Sequence, residues 1–300
     1  MKTIALVTAV AATGHDEDLA PLMQACTEIG LHARIVAWDD ATVSWGRFDA
    51  ALLRSPWDYT ERLPEFLGWC ERVELATRLL NPLTVVRWNT DKHYLADLAA
   101  AAVPVVPTVF VEPDTEPLEA LQAFLAAEEA NEFVVKPAVS AGARDTQRYS
   151  RAQGFAAGNQ IARLLEQGRS VMLQPYLSSV DRAGEAALIY FDGKFSHAIH
   201  KGALLRPDQP ATTTPHASGE TAPRHAHPSE RELAEQVLVA AQQLLKLEQP
   251  PVYARIDLIG DDAGRPRLLE LELTEPSLFF SQASGSAERF AANLARHLQA

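Results

Sequence analysis

Apolar residues along this chain switch between two spacings, and the switches mark out its elements. An apolar run over 3–10 predicts a buried strand and the stretches 32–38 and 48–53 two further strands, while apolar positions at helical spacing over 16–29, closed by Gly30, and over 60–75 predict helices between them. That alternation is the signature of an α/β fold. The pattern breaks at Asn81-Pro82. Asn89 or Thr90 then has the chemistry of an N-cap for a helix through Leu98, which puts Lys92 in a first helical turn. Pro104 and Pro107 bracket an extended segment to Val111, followed by a helix at about 115–130, a short strand from Phe133 to Pro137, a loop around Gly142, a helix to Gly168 and a strand over 170–174. Asp192-Gly193, between strands at 185–191 and 194–201, is the strongest hairpin signal. The stretch 203–228 is rich in Pro, Thr, His, Ser and Gly without periodicity and reads as a mobile loop suited to cover a site. A helix over 229–246, two strands at 252–259 and 266–273, and a helix over 286–299 complete the reading.

Composition narrows the class. Three hundred residues, 47% of them hydrophobic, suffice for two or three packed subdomains. No apolar run reaches the roughly 18 residues that span a bilayer, and the opening apolar stretch lacks a cleavage-type ending, so no membrane attachment or export is expected. The two cysteines, Cys26 and Cys70, lie on apolar helix faces and read as core residues in a reducing cytoplasm. A formal charge of −12 without a basic cluster argues against a nucleic-acid partner. A small molecule is the expected partner.

The candidate chemistry is spread over five short segments. The chain has only six lysines. Lys136 closes the apolar strand Phe133-Val134-Val135-Lys136-Pro137, just before Ser140-Ala141-Gly142-Ala143, where an ammonium and loop amides can face phosphates; a strand-end lysine reaching for solvent is the plain alternative. Lys92 at a helix start needs a bound anion to be favourable there. Gln174-Pro175-Tyr176-Leu177 leaves a strand at a proline, a geometry for a backbone clamp on an adenine edge or for an interdomain hinge. Glu185 opens the next strand, placed for ribose hydroxyls or for solvent. Asp257 lies on one strand of the last hairpin, and Glu270 and Glu272, two apart on its partner, share one face. Three carboxylates gathered this way need a cation, and Mg²⁺, with Mn²⁺ as an alternative, is the natural one; a solvent-facing acidic edge is the other reading. Arg255 shares the face of Asp257, either beside the metal or in a salt bridge to Glu270. Arg54-Ser55-Pro56-Trp57-Asp58-Tyr59 follows a strand at the end where α/β sheets bind ligands, and its cation, carboxylate and aromatics suit an amino acid; a polar turn with Trp57 over the core competes. His216, His225 and His227 lack zinc-site spacing. Walker-type and dinucleotide glycine strings are missing as well.

This ordered set resembles the ATP-grasp superfamily over nearly the whole chain, most strongly from Asn89 to Pro276. The resemblance implies three α/β subdomains, here 1–88, 89–177 and 178–300, with ATP between the central and C-terminal ones. It implies Lys92, Lys136, Ser140, Gly142, Gln174, Tyr176, Leu177, Glu185 and Lys201 as the ATP site, Asp257, Glu270 and Glu272 as metal ligands, and Arg255 as the transition-state arginine. The segment Glu270 to Ser277 is similar to the endings of glutathione synthetases and D-alanine:D-alanine ligases, except that Glu272 stands where those usually carry Asn, and Ala187 where glutathione synthetases carry a basic residue. Within the superfamily the chain looks most like the O-ureido-D-serine cyclo-ligases, which form D-cycloserine. That implies a small amino-acid substrate met by Arg54, Trp57, Asp58, Thr274 and Ser277, with Asp58 on its ammonium. A homodimer is compatible with this reading. An intermolecular carboxylate-amine ligase with the same ATP site, and a nucleotide-binding module without turnover, are the competing classes.

Overall fold

The computed structural model describes residues 2–206 and 219–299. Three sheets organise them. The first holds β1 (Thr3–Thr8), β2 (His32–Ala37), β3 (Ala50–Ser55) and β4 (Arg78–Leu80), all parallel in the order β2-β1-β3-β4, with α1 (Leu19–Glu28) and α2 (Leu63–Ala76) as crossovers. β3 is buried throughout and β1 at every residue after Thr3, as their unbroken apolar runs require of strands covered on both faces.

Two short helices, α3 (Leu83–Asn89) and α4 (Tyr94–Ala100), lead to a second sheet of β5 (Val109–Val111), β6 (Glu132–Pro137), β7 (Gln147–Ser150) and β8 (Val171–Pro175) in the order β5-β8-β6-β7, covered by α5 (Pro117–Ala127) and α6 (Gly154–Glu166). After the single turn α7 (Val180–Ala183) comes the third sheet. It is antiparallel, formed by β9 (Glu185–Phe191), β10 (Lys194–Lys201), β11 (Thr221–Arg224), β12 (Tyr253–Gly260) and β13 (Pro266–Glu272), in the order β11-β10-β9-β12-β13, with α8 (Pro228–Leu244) on one face and α9 (Ser286–Gln299) ending the chain.

The apolar cores cross the sheet boundaries. Leu22 and Cys26 of α1 share a core with Ile189 of β9, Tyr253 of β12, and Phe290 and Leu294 of α9. Tyr94, Leu95 and Leu98 of α4 pack on Leu188, Ile256 and Leu271 of the third sheet. The core of the second sheet, with Phe124, Phe133, Ile161 and Leu173, contains only its own strands and helices. Both cysteines are buried and free, and burial pushes both thiols up, that of Cys26 to about 12. Among the described residues no helix is long and apolar enough to cross a membrane.

Four expectations change. Asn89 does not cap a helix start: it ends α3, and its side chain donates to Leu271 O at 2.7 Å and accepts from Leu273 N at 2.6 Å, tying the helix to β13. Lys92 therefore sits in the turn between two helices rather than in a first turn. The helix expected from residue 16 begins at Leu19, because the Asp18 carboxylate accepts the backbone N–H groups of Leu278, Phe279 and Phe280 instead of capping α1. β4 and β7, only three and four residues long, carry too few alternations to be read from spacing. The stretch 203–228 contains β11, and the span 207–218 of the expected lid lies outside the described residues.

Candidate active site

A cavity of about 420 Å³ opens between the three sheets. Its floor is the β12–β13 pair, in which Asp257 stands opposite Glu270 and Arg255 opposite Glu272. Alternation puts all four side chains on one face. The three carboxylates offer oxygens within 4.8 Å of one another, and among the described residues they are the group of His, Cys, Asp and Glu side chains placed to hold an ion.

Cations from separate segments reach this floor. Lys201 Nζ lies 2.8 Å from Asp257 Oδ2 and 2.9 Å from Glu185 Oε2, Lys92 Nζ lies 3.0 Å from Glu270 Oε1, and Arg255 binds Asp257 at 2.9 Å and also pairs with Glu272. Arg255 thus pairs with Asp257 and Glu272, not with the Glu270 considered from sequence. Burial works against ionisation of Asp257, yet Arg255 and Lys201 hold its carboxyl below the usual range. Glu270 is likewise held low, against burial, by Lys92 and Lys136. Glu272 goes the other way: burial, opposed by Arg255 but reinforced by Glu270 and Asp257, pushes it up to about 8. An all-oxygen trio in which burial and mutual repulsion resist ionisation of the third carboxylate suits a hard divalent cation such as Mg²⁺.

Lys136 differs from the other cations. It is buried, and unlike Lys92, Lys201 and Arg255 it has no carboxylate in ion-pairing range among the described residues. Burial pulls its ammonium down to about 8, partly offset by Glu270. A buried cation without a counter-charge is costly unless an anion arrives. Beside it the loop after β6 turns through left-handed backbone at Gly142 and Ala143. Ser140 lines the cavity there and fixes Lys92, whose Nζ donates to Ser140 O at 2.7 Å. From the same loop, Arg144 pairs with Glu61 of the first sheet's layer.

Gln174, Tyr176 and Leu177 line the cavity where β8 ends. Gln174 Nε2 donates to Thr108 Oγ1 at 2.8 Å, and the Tyr176 ring lies 3.6 Å beneath the Arg148 guanidinium while its hydroxyl donates to Asp181 at 2.6 Å. The segment is thereby rigid, with a flat apolar wall toward the cavity.

Of the five side chains expected to meet an amino acid, Trp57 and Ser277 line the cavity and Arg54, Asp58 and Thr274 do not. Arg54 is 0% exposed and donates to Pro276 O at 2.9 Å, with Asp18 Oδ2 at 3.5 Å, so it braces the loop after β13 from behind. Asp58 is occupied by Trp38 Nε1 at 2.8 Å and Arg62 at 3.0 Å. Thr274 is buried against Asn89. The strand-end location of Arg54 and Asp58 was a sound guide to the neighbourhood, but Asp58 is paired within the protein, and Arg54 is sealed off from the cavity with Nη2 on Pro276 O and Asp18 while its Nε and Nη1 have no hydrogen-bond partner. Sequence reasoning missed Asp16 and Gln282, and it gave no separate role to Tyr59 and Glu275 within the segments it singled out; all four are on the cavity wall. Asp16 follows β1 at the ligand-binding edge of a parallel sheet, a position that could have flagged it. Burial, only partly opposed by the Tyr59 hydroxyl and Lys92, pushes the Glu275 carboxyl up to about 7.

Residues 4–81 match the family described as D-cycloserine synthetase DcsG, N-terminal domain. Cycloserine biosynthesis protein DcsG of Streptomyces lavendulae is 47% identical over 300 residues, spanning the whole of both chains. The crystal structure of D-cycloserine synthetase DcsG superposes with a TM-score of 0.94 at 46% identity, covering 99% of each chain. The ATP-grasp ligase PsnB complexed with minimal precursor, Mg and ADP gives a TM-score of 0.63 at 18% identity, covering 99% of this chain and 98% of that one. D-alanyl-alanine synthetase A from Vibrio cholerae gives 0.69 at 13%, covering 99% and 97%. Those last two likenesses are of fold. Identity along its entire length places the chain in the DcsG family of cycloserine-biosynthesis enzymes, built on the ATP-grasp ligase fold.

Proposed function

We propose that this ATP-dependent ligase acts on O-ureido-D-serine, activating its carboxylate with ATP and closing the isoxazolidinone ring of D-cycloserine. The observation that carries the reading is Lys136, a buried cavity cation without an ion-pair partner among the described residues, next to a carboxylate trio suited to Mg²⁺. Lys136 and Lys92 bind and orient the phosphates, Gln174 to Leu177 wall the base, and Glu185, held by Lys201, faces the ribose. Asp257, Glu270 and Glu272 would hold Mg²⁺, which when bound neutralises phosphate charge during transfer.

In the first step the γ-phosphoryl group passes to a substrate carboxylate oxygen and ADP leaves. The ureido nitrogen bonded to oxygen then attacks the carbonyl carbon, a C–N bond forms as the C–O bond to phosphate breaks, and the nitrogen gives up its proton. Hydrolysis of the carbamoyl group consumes one water and releases CO₂ and ammonia. Arg255, fixed by Asp257 and by Ser277 O at 3.3 Å, stabilises the oxyanion of the tetrahedral adduct. Holding both ends of one molecule in the same cavity supplies proximity worth several kcal/mol, roughly what intramolecular reactions gain.

The test is incubation of the protein with ATP, Mg²⁺ and O-ureido-D-serine, with products weighed by mass spectrometry. ADP, phosphate and D-cycloserine in equal amounts without any added amine support ring closure. An amide that forms only with a second amine assigns the intermolecular reaction instead. ATP binding without carboxylate-dependent ADP release leaves a nucleotide-binding module.

A further inference from the structure

Among the described non-glycine residues with left-handed backbone, Phe279 is the aromatic one, at φ 54° and ψ 44°. A bulky side chain in that region crowds its own backbone, so the conformation persists only where the surroundings enforce it. Here they do so twice. The backbone N–H groups of Leu278, Phe279 and Phe280 all donate to the carboxylate of Asp18, itself buried in the segment after β1. Leu278 and Phe280, on either side, are sunk in the core shared with α1 and α9, so the backbone between them has no room to relax.

The turn sets Phe279 on the cavity wall, with its ring centroid 5.8 Å from the centre of the Arg255 guanidinium, within range of a cation–π attraction. Arg255 has two kinds of partner. Asp257 and Glu272 hold it from the floor of the cavity, but they belong to the trio proposed for Mg²⁺, which needs the same oxygens. The other contacts, from Nη1 to Ser277 O at 3.3 Å and to the Phe279 ring, come from the loop after β13 and use no carboxylate of that trio. An extended backbone at Phe279 would point its Cα–Cβ bond elsewhere and take the ring off the guanidinium, which gives the strained turn a purpose.

We propose that Phe279 is a positioning residue for the reaction: its ring, fixed by the left-handed turn, keeps the Arg255 guanidinium aimed at the reacting carboxyl group independently of the carboxylates that Mg²⁺ needs. The inference rests on the reading of Arg255 as the group that stabilises the tetrahedral adduct. Asp18 belongs to the same device, since it holds the turn that holds the ring. A buried carboxylate of the first sheet's layer is thereby linked, through one loop, to the arginine over the metal site.

The experiment combines steady-state ADP release with O-ureido-D-serine, at saturating ATP and Mg²⁺, with urea denaturation of the nucleotide-free protein. Phe279→Leu, which keeps the bulk and removes the ring, should lower kcat roughly 3- to 30-fold, the range of a cation–π contact, with the KM for ATP unchanged. Phe279→Tyr keeps the ring and should hold kcat within about twofold of wild type. In an Arg255→Ala background the leucine substitution should change kcat by less than about twofold, because a residue that works through Arg255 has nothing left to position. Phe279→Gly should unfold at a higher urea concentration than Phe279→Ala, since of the two only alanine is strained in left-handed backbone. A leucine effect of equal size with and without Arg255, a tyrosine variant as slow as the leucine one, or an alanine variant as stable as the glycine one overturns the proposal. Wild-type protein without turnover, or Arg255→Ala with unchanged kcat, overturns it by removing the reading beneath it, a failure distinct from those three.

Discussion

Replacing Lys136 by methionine keeps the length of the side chain and removes its charge, and the structure sets opposite signs for the two consequences. Burial lowers the ammonium from 10.5 to about 8. At about 1.4 kcal/mol per pH unit, holding that charge in the empty cavity costs about 3 kcal/mol at neutral pH. The nucleotide-free variant should therefore be more stable than wild type, by up to about 3 kcal/mol and a few degrees of Tm. A lysine whose folded value lies below its ordinary one destabilises fully below about pH 8 and ceases to do so above 10.5, so the Tm gap should be widest at pH 7 and close as pH rises through that window. ATP affinity should move the other way, falling roughly 10- to 150-fold with the loss of one charge-assisted contact. Differential scanning calorimetry across pH 7 to about 10.5, paired with titration calorimetry of ATP, reads both. A variant that is less stable when empty, or that binds ATP as tightly as wild type, would refute the reasoning.

Arg255→Ala should lower kcat by roughly 10²- to 10³-fold, the loss expected for one donor to a developing oxyanion, and an unchanged kcat in a steady-state assay would leave Arg255 a structural partner of Asp257. Asp257→Asn should keep a native circular dichroism spectrum yet abolish ADP release; normal release would remove Asp257 from the metal site. Arg54→Met should destabilise the protein by about 3–5 kcal/mol in urea denaturation, because Asp18 is left buried without its cation. Wild-type stability with weakened substrate binding would return Arg54 to the cavity.

What was legible in the sequence follows from which contacts are local. Glu270 and Glu272 are two residues apart on a strand, so their shared face is dictated by the pleat, and Asp257 joins them through a hairpin. The long apolar runs of β1 and β3 gave the first sheet, and Asp192-Gly193 gave the β9–β10 turn. What stayed hidden depends on partners remote in sequence. Nothing near Arg54 announces that its Nη2 will be taken by Pro276 and Asp18, and nothing near Asn89 announces β13. Asp58 reads as a ligand group until Trp38 and Arg62 are seen on it. The same long-range logic left Asp16 unread, since an orphaned oxygen is visible only once its whole surroundings are assembled.

The sharing of one apolar core by α1, α9 and the third sheet decides which walls of the cavity hold together. The walls contributed by the first and third sheets are joined into a single frame, so the distance between the loops after β1 and the carboxylate trio is set by one continuous core. The second sheet keeps a core of its own on one face, lends Met172 of β8 and Phe110 of β5 to the core of the third sheet on the other, and is joined to the first layer by the Arg144–Glu61 pair. Substitutions in the seam at Phe110 and Met172 should therefore disturb how the second sheet sits over the cavity before they disturb the carboxylate trio.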